Sequence, residues 1–335
     1  QTSPWYRDSC ATGVFKSRSA EETFEKFGDL RKLDFSSWWK SIGYQIFSEQ
    51  VSYQPVSVVE PHIKTQTKIS RKKCTIGFIG LGFVGGAILT AVQKNTVCKT
   101  TILDPQKGYT ATYQDLLATD AVFVAVPSPQ LPTGACDTSI LASVLEQLQR
   151  TGYTGPVISK TTAPPQFYTE WSIRMPNLVH APEFLTAARA VEDYQTGTFA
   201  FIGSVDPESR ERAERIITLT QPQLKTVHYC TPGEAALAKY TINTFLATKV
   251  AVMNEIYQLA GALGLNYKTI SDMVKSDARI GSTHLQVPGP DGLPGYGGAC
   301  FPKDTKAMLH FAESVGIDLE VLRAAVGYNA KIREE

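Results

Sequence analysis

From Cys74 onward the hydrophobic positions fall into short unbroken runs, Thr75–Ile79, Thr100–Leu103, Ala121–Val126, Pro156–Ser159, Asn177–His180 and Thr198–Ile202, separated by longer stretches of helical spacing. Strands buried on both faces read as continuous apolar runs, and crossovers longer than hairpin turns set successive strands parallel. The pattern predicts an α/β fold with a doubly wound parallel sheet. After Thr231-Pro232-Gly233 the spacing turns helical, and the stretch from Glu234 to about Leu263 holds no proline and a single interior glycine, Gly261. One long helix is expected there. The uncharged run Ile76–Val92 is too short and too rich in glycine for a membrane span, which takes about 20 apolar residues. A strand, a glycine turn and a helix account for it instead.

Residues 1–53 have a different texture, with frequent aromatics (Trp5, Phe24, Phe27, Phe35, Trp38, Trp39, Phe47), and predict a small helical extension without chemistry of its own. Residues 54–73, polar and carrying Pro55 and Pro61, read as a linker. The main body then divides into 74–230, the α/β part, and 231–335, the helical part. A length of 335 residues with 33 Lys plus Arg against 32 Asp plus Glu leaves no strong field for nucleic acid or an anionic membrane. A small-molecule or protein partner is expected. Six scattered cysteines (Cys10, Cys74, Cys98, Cys136, Cys230, Cys300) show no metal-ligand spacing, which argues against a disulfide framework or a metal and fits a reducing compartment. The chain starts at Gln1 with no signal-peptide pattern, so cytoplasm is the expected location, and the missing Met implies trimming or a fragment.

Gly80-Leu81-Gly82-Phe83-Val84-Gly85 follows a predicted strand and opens a helix, the context that makes a GxGxxG match useful. The first glycine permits the tight turn, the second lets backbone approach a pyrophosphate, the third allows close helix packing, and the helix N-terminus offers free N–H groups to the anion. Asp104 ends the next strand, where a carboxylate accepts both ribose hydroxyls and favours NAD over NADP. The first half is therefore expected to be a Rossmann-type NAD-binding domain, with Phe83, Val84, Pro127 and Ser128 completing the cofactor loops.

Five further segments identify the chain: Ala125-Val126-Pro127-Ser128-Pro129, Lys160-Thr161-Thr162-Ala163-Pro164-Pro165, Ala181-Pro182-Glu183-Phe184-Leu185, Glu234 through Lys239 to Asn243, and Gly297-Gly298-Ala299-Cys300-Phe301-Pro302-Lys303-Asp304. In this order they resemble the UDP-glucose/GDP-mannose dehydrogenase family over roughly Cys74–Glu335, and Phe301-Pro302 looks more like its UDP-glucose branch. The resemblance implies NAD-dependent oxidation of a nucleotide sugar at C6, from alcohol to carboxylate, with two NAD reduced per product. Cys300 matches the family nucleophile, which holds the aldehyde as a thiohemiacetal so that a second hydride can leave. Nearby positive charge is expected to lower its thiol pKa from the reference of about 8.5. Cys74, Cys98, Cys136 and Cys230 read as buried, inert thiols.

Lys239 and Asn243, four residues apart on one helix face, resemble the clamp that stabilises charge on the sugar oxygen. Glu183 matches the acid/base carboxylate, Asp304 the residue orienting the hydrolytic water or the lysine, and Thr162 a member of the water network. Phe184, Leu185, Tyr296, Gly297 and Gly298 match substrate-facing positions, and Arg279 resembles an arginine supplied by the neighbouring subunit. A homodimer through the long helix is implied, with Phe245, Val252, Ile256 and Leu259 as candidate contacts.

Three departures qualify this. Thr186-Ala187 stand where the family has Arg-Glu, Asp291–Pro294 looks like a short insertion, and the sequence stops at Glu335, where the family continues into a second α/β domain over the substrate's nucleotide. A fragment, a different way of holding the nucleotide, or a separate polypeptide for the remaining half would each account for the last. Competing expectations are a non-catalytic NAD-binding or assembly protein, which the retained Cys300 set disfavours, and a β-hydroxyacid dehydrogenase, which needs no nucleophilic cysteine.

Overall fold

The structure is a computed structural model that describes residues 62–63 and 74–333 apart from 97 and 187; the predicted helical extension and nearly all of the linker lie outside the described residues. The described strands are β1 (His62–Ile63), β2 (Thr75–Ile79), β3 (Lys99–Asp104), β4 (Tyr109–Thr110), β5 (Ala121–Val124), β6 (Val157–Ser159), β7 (Leu178–His180), β8 (Phe199–Gly203) and β9 (Thr226–Cys230). They form one sheet in the order β1-β9-β8-β7-β6-β5-β2-β3-β4. Its centre is parallel, with Ile76 beside Thr100 on one side and Ala121 on the other. The chain leaves β2 toward β3 and then crosses back to β5, so the two winding directions part between β2 and β5. Ligands of open α/β sheets bind at the carboxyl ends of strands flanking such a point.

The sheet is mixed where the sequence predicted it parallel. β4 runs antiparallel to β3, β1 to β9, and β8 meets β7 antiparallel through the pair His180 and Gly203. An apolar run is the same signal in either direction, and the connector decides: between β7 and β8 it is a loop and only the short helix α5 (Ala190–Thr196). β9 escapes the apolar-run pattern because Val227 alone of its five residues is buried. The two-residue β1 falls within the predicted linker.

Helices α1 (Phe83–Asn95) and α6 (Pro207–Thr220) cover one face, burying Ile88, Val92 and Ile217 against Ile76 and Phe78. On the other face α3 (Ser139–Thr151) and α4 (Pro165–Arg174) bury Leu141, Leu145, Tyr168 and Trp171, behind the short α2 (Tyr113–Leu116). The long helix is α7 (Pro232–Ala262), begun by reciprocal bonds between Thr231 and Glu234 in a capping box. Its first turns pack against the sheet. Ala236 joins the core of the second face, and a Cβ on Gly203 would sit 2.8 Å from the Thr231 carbonyl. Close approach of β8 to this helix start thus ties the predicted boundary at 230/231 into the sheet. Downstream, α8 (Tyr267–Val274), α9 (Phe301–Ser314) and α10 (Glu320–Arg333) pack on the remainder of α7.

Cys74 and Cys98 form a disulfide, with Cα atoms 4.6 Å apart, which corrects their reading as inert thiols and the expectation of no disulfide. The cause is strand register: Thr75 pairs with Lys99, and the Lys99 N–H donates to the Cys74 carbonyl at 2.8 Å, so the preceding residues are neighbours. Their separation of 24 in sequence gives no hint of this. Closing a loop of that length stabilises by roughly 3 kcal/mol. Reductant, or Cys74→Ser, is therefore expected to lower the denaturant midpoint; coincident unfolding curves with and without reductant would contradict it.

Candidate active site

At the carboxyl end of β2 the backbone needs its glycines for space. Gly80 has φ +85°, and a Cβ there would lie 2.6 Å from the Ala125 carbonyl, while one on Gly85 would strike the Gly80 carbonyl. Gly82 has nothing within 4 Å and faces open space. It is the N-cap of α1 and supplies no side-chain cap, and the first turn carries no acidic residue. The N–H groups of that turn are therefore left for an anion. Phe83 is exposed at the rim, and Val84 packs inward.

Asp104 sits where the fingerprint places it. Its Oδ2 accepts from the Leu81 N–H at 2.7 Å and its Oδ1 from Lys107 at 3.2 Å, leaving further lone pairs for hydroxyl donors. The opposite rim, Ala125 to Ser128, is held by Thr161, whose hydroxyl accepts from Val126 N–H and donates to Val126 C=O at 3.1 and 3.0 Å. Pro127 is exposed there. An open glycine turn, an uncapped helix start and a carboxylate one strand over fit NAD. Asp104→Ala is expected to weaken NAD binding roughly tenfold and NADP binding less; calorimetric titration showing tighter NADP binding by the wild type would overturn the role of Asp104.

The second cluster joins three elements. Lys239 on α7, almost fully buried, donates from Nζ to the Glu183 carbonyl at 2.6 Å and pairs with Glu183 Oε1 at 3.3 Å. Glu183 Oε2 accepts from Leu185 N–H at 2.9 Å, and the Phe184 ring centroid lies 5.2 Å from Lys239 Nζ. One turn along α7, Asn243 donates to Asp304 Oδ2 at 2.6 Å, and Lys303 binds Asp304 Oδ1 at 2.6 Å. The Asp304 N–H in turn donates to the carbonyl of Cys300, the exposed N-cap of α9. The Lys239–Glu183 pair and the Asn243–Asp304–Lys303 set thus lie one turn of α7 apart, and the Cys300 sulfur feels Glu183, Asp304, Lys239 and Lys303 together.

Cys300 departs from expectation in its acidity. Although the residue is exposed, neighbouring atoms partly desolvate its sulfur and raise its pKa above the ordinary value, with Glu183 and Asp304 adding to the rise, and the opposing pull of Lys239 and Lys303 does not overcome them. Sequence reasoning saw the cations and not the carboxylates beside them. Thr162 lies on the loop after β6, where its carbonyl accepts from Cys136 Sγ at 3.6 Å. Cys136 is half-buried, within the field of Lys303 and Asp304, and burial holds its thiol above the usual range.

The remaining predicted residues are less directly placed. Tyr296 is buried in a cluster with Ala247 and Val250, and Asn329 holds its backbone by accepting from Tyr296 N–H at 2.7 Å and donating to its carbonyl at 3.1 Å. Gly297 leaves room for the Arg333 guanidinium, and Gly298, at φ +77°, is exposed. Arg279 is paired with Asp277 at 2.6 Å, its side chain 89% exposed, away from the cluster. Ile256 packs within the chain beside Met253 and Tyr267. Lys303, Thr161 and Asn329 are the positions the sequence reading passed over; the first two lie inside the motifs already quoted.

Residues 96–220 match the NAD binding domain of the UDP-glucose/GDP-mannose dehydrogenase family, and 233–331 match its central domain. UDP-glucose 6-dehydrogenase of Pseudomonas aeruginosa is 32% identical over 240 residues, covering 68% of this chain and 52% of its own length. This chain belongs to the UDP-glucose/GDP-mannose dehydrogenase family. Its cofactor is NAD. Among solved structures, a UDP-glucose dehydrogenase from Pyrobaculum islandicum superposes with a TM-score of 0.65 at 25% identity, covering 80% of this chain and 70% of that one. A 3-hydroxyisobutyrate dehydrogenase from Mycobacterium tuberculosis gives 0.58 at 20% identity over 79% of this chain and 95% of that one, a likeness of fold alone. The chain spans about half the length of the curated dehydrogenases it matches. Among the described residues no helix is long and apolar enough to cross a membrane.

Proposed function

We propose that this family member oxidises a nucleotide sugar, UDP-glucose foremost, at C6 from alcohol to carboxylate through a thioester on Cys300. The observation that carries the reading is the convergence of Cys300, Lys239, Glu183, Asn243 and Asp304 from α7, α9 and the loop after β7. NAD, when bound at the Gly80–Gly85 turn, supplies the hydride acceptor for both oxidations. Lys239 and Asn243 stabilise the negative charge that develops on the sugar oxygen, an effect of about 3 kcal/mol per donor in comparable sites. The Cys300 sulfur adds to the aldehyde carbon, and Glu183 removes a proton from the water that later opens the thioester. NAD and nucleotide sugars are cytoplasmic reactants, and a cytoplasmic location is proposed on that ground alone, the Cys74–Cys98 disulfide having removed the argument from cysteine usage.

NADH formation with a panel of nucleotide sugars tests the reading, and no turnover with any of them, with or without the portion of the relatives that this chain does not span supplied in trans, would overturn it. The outer face of α7, with Phe245 67%, Val252 48% and Leu259 54% exposed, is proposed as the homodimer surface. A dimeric mass by light scattering at micromolar concentration is expected, and Phe245→Asp is expected to shift it to monomer.

A further inference from the structure

The loop that carries Glu183 also closes a cavity of about 100 Å³, lined by Lys160, Glu183, Phe184, Tyr194, Phe199 and Gln221 among others, and by neither Cys300 nor Lys239. Lys160 follows β6 and is 4% exposed. Its ammonium lies 5.9 Å from the Tyr194 ring centroid and 6.0 Å from that of Phe123, and among the described residues it has no hydrogen-bond partner. Gln221 Oε1 is likewise buried without a partner, while its amide donates to the Tyr194 carbonyl at 3.3 Å. An orphan donor and an orphan acceptor therefore line one cavity with room for several water molecules, the group that satisfies both.

A buried ammonium lacking a close partner opposes folding, and a methionine of similar volume would pack there more favourably. Packing does not explain Lys160. We propose that Lys160 is a proton relay for Glu183, passing protons through the cavity water to solvent. The inference rests on the role of Glu183 proposed above. As the hydrolytic water bonds to the thioester carbon, one of its protons goes to Glu183. The C–S bond breaks with its electron pair on sulfur, and the water's second proton ends on Cys300, whose raised pKa favours the thiol. The Glu183 proton then crosses the cavity water to the neutral amine of Lys160, and the ammonium so formed releases it at the mouth beside the exposed Phe199.

The electrostatics suit this task. Burial pulls the Lys160 pKa down to about 8 against the opposing attraction of Glu183, so both of its forms are accessible near neutrality. The titratable groups around it are Glu183 from the loop, His180 from β7, and Asp193 and Tyr194 from α5, with Lys239 of α7 acting on the far side through His180. His180 stays neutral, its pKa lowered to about 3 by burial, with Lys160 and Lys239 adding to the fall.

The test compares Lys160→Met, Lys160→Arg and Lys160→Ala in the full chain, with NAD and UDP-glucose. All three are expected to slow thioester hydrolysis roughly tenfold or more and to accumulate the acyl adduct on Cys300 by intact mass. Methylamine is expected to restore hydrolysis in Lys160→Ala alone. Independently of turnover, Lys160→Met is expected to unfold at a higher temperature than wild type at pH 7. That gap should narrow as pH rises from about 8 to 10.5, where the folded amine is already neutral while the unfolded one still holds its proton. Wild-type hydrolysis by Lys160→Arg, whose side chain keeps the charge and cannot release the proton, would overturn the relay. So would a lower unfolding temperature for Lys160→Met, which would make the residue structural. An absence of any adduct in Glu183→Gln, where hydrolysis is blocked, would bring down the function proposed above and the relay with it, and is distinct from equal hydrolysis by the wild type and all three Lys160 variants, which overturns the relay alone.

Discussion

Cys300→Ser is expected to lower conversion of the nucleotide sugar to its acid by on the order of 10³-fold or more, with slow release of aldehyde remaining. The two oxidations differ in what they need from the protein. The first requires Lys239, Asn243 and a base, all of which the variant keeps. The second requires sulfur, because a serine hydroxyl is a weaker nucleophile toward the aldehyde and a poorer leaving group from the acyl intermediate. Glu183→Gln should do the converse, forming the thioester and failing to hydrolyse it, so an acyl adduct on Cys300 builds up in the intact mass. Since burial, Glu183 and Asp304 hold the thiol above its ordinary pKa, alkylation of Cys300 by iodoacetamide should still be accelerating with pH above 9. Acid production by Cys300→Ser at the wild-type rate would leave the covalent route untenable.

Much of this site was legible because its residues sit in short segments whose spacing has a mechanical meaning. The Gly80–Gly85 turn needs its glycines for clearances that the structure displays at Ala125 and Gly80, and Lys239 and Asn243 share a face because four residues nearly complete a helical turn. Tertiary neighbours were not legible in the same way. The Cys74–Cys98 pair depends on the register of β2 and β3, which the hydrophobic pattern of either strand alone leaves open. The direction of β8 depends on a connector, and β9 was hidden by its polar residues. Cys300's acidity was misjudged for a related reason: two cations and two carboxylates act on it from three places in sequence, and only the fold reveals which outweigh the others. Lys160 is a further case, since its place in the Lys160–Pro165 segment says nothing of its burial, which only the fold shows.

Asp304→Ala is expected to cost both stability and chemistry. The sequence resemblance offered Asp304 a role in orienting water or a lysine, whereas the structure shows a carboxylate 1% exposed with both oxygens engaged, one by the Asn243 amide and one by the Lys303 ammonium, each at 2.6 Å. Removing it leaves a buried amide and a largely buried cation without their acceptor. Losing one partner of such a pair costs about 3 kcal/mol, the lower end of the usual range because Lys303 retains some solvent. Asn243 is then free to turn away from the sugar oxygen, and acid formation should fall by roughly 10²-fold, a loss of one clamp donor. Asp304→Asn separates the two effects. Its amide oxygen still accepts from Asn243, so the fold should hold, while one of the charges that raise the Cys300 pKa is gone and the pull of Lys239 and Lys303 on a thiolate is opposed only by burial and Glu183. Iodoacetamide should therefore alkylate Cys300 faster in Asp304→Asn than in the wild type at pH 7, even as turnover drops. Slower alkylation in that variant would mean that Asp304 acts on Cys300 by holding its backbone at the start of α9, and that its charge is incidental.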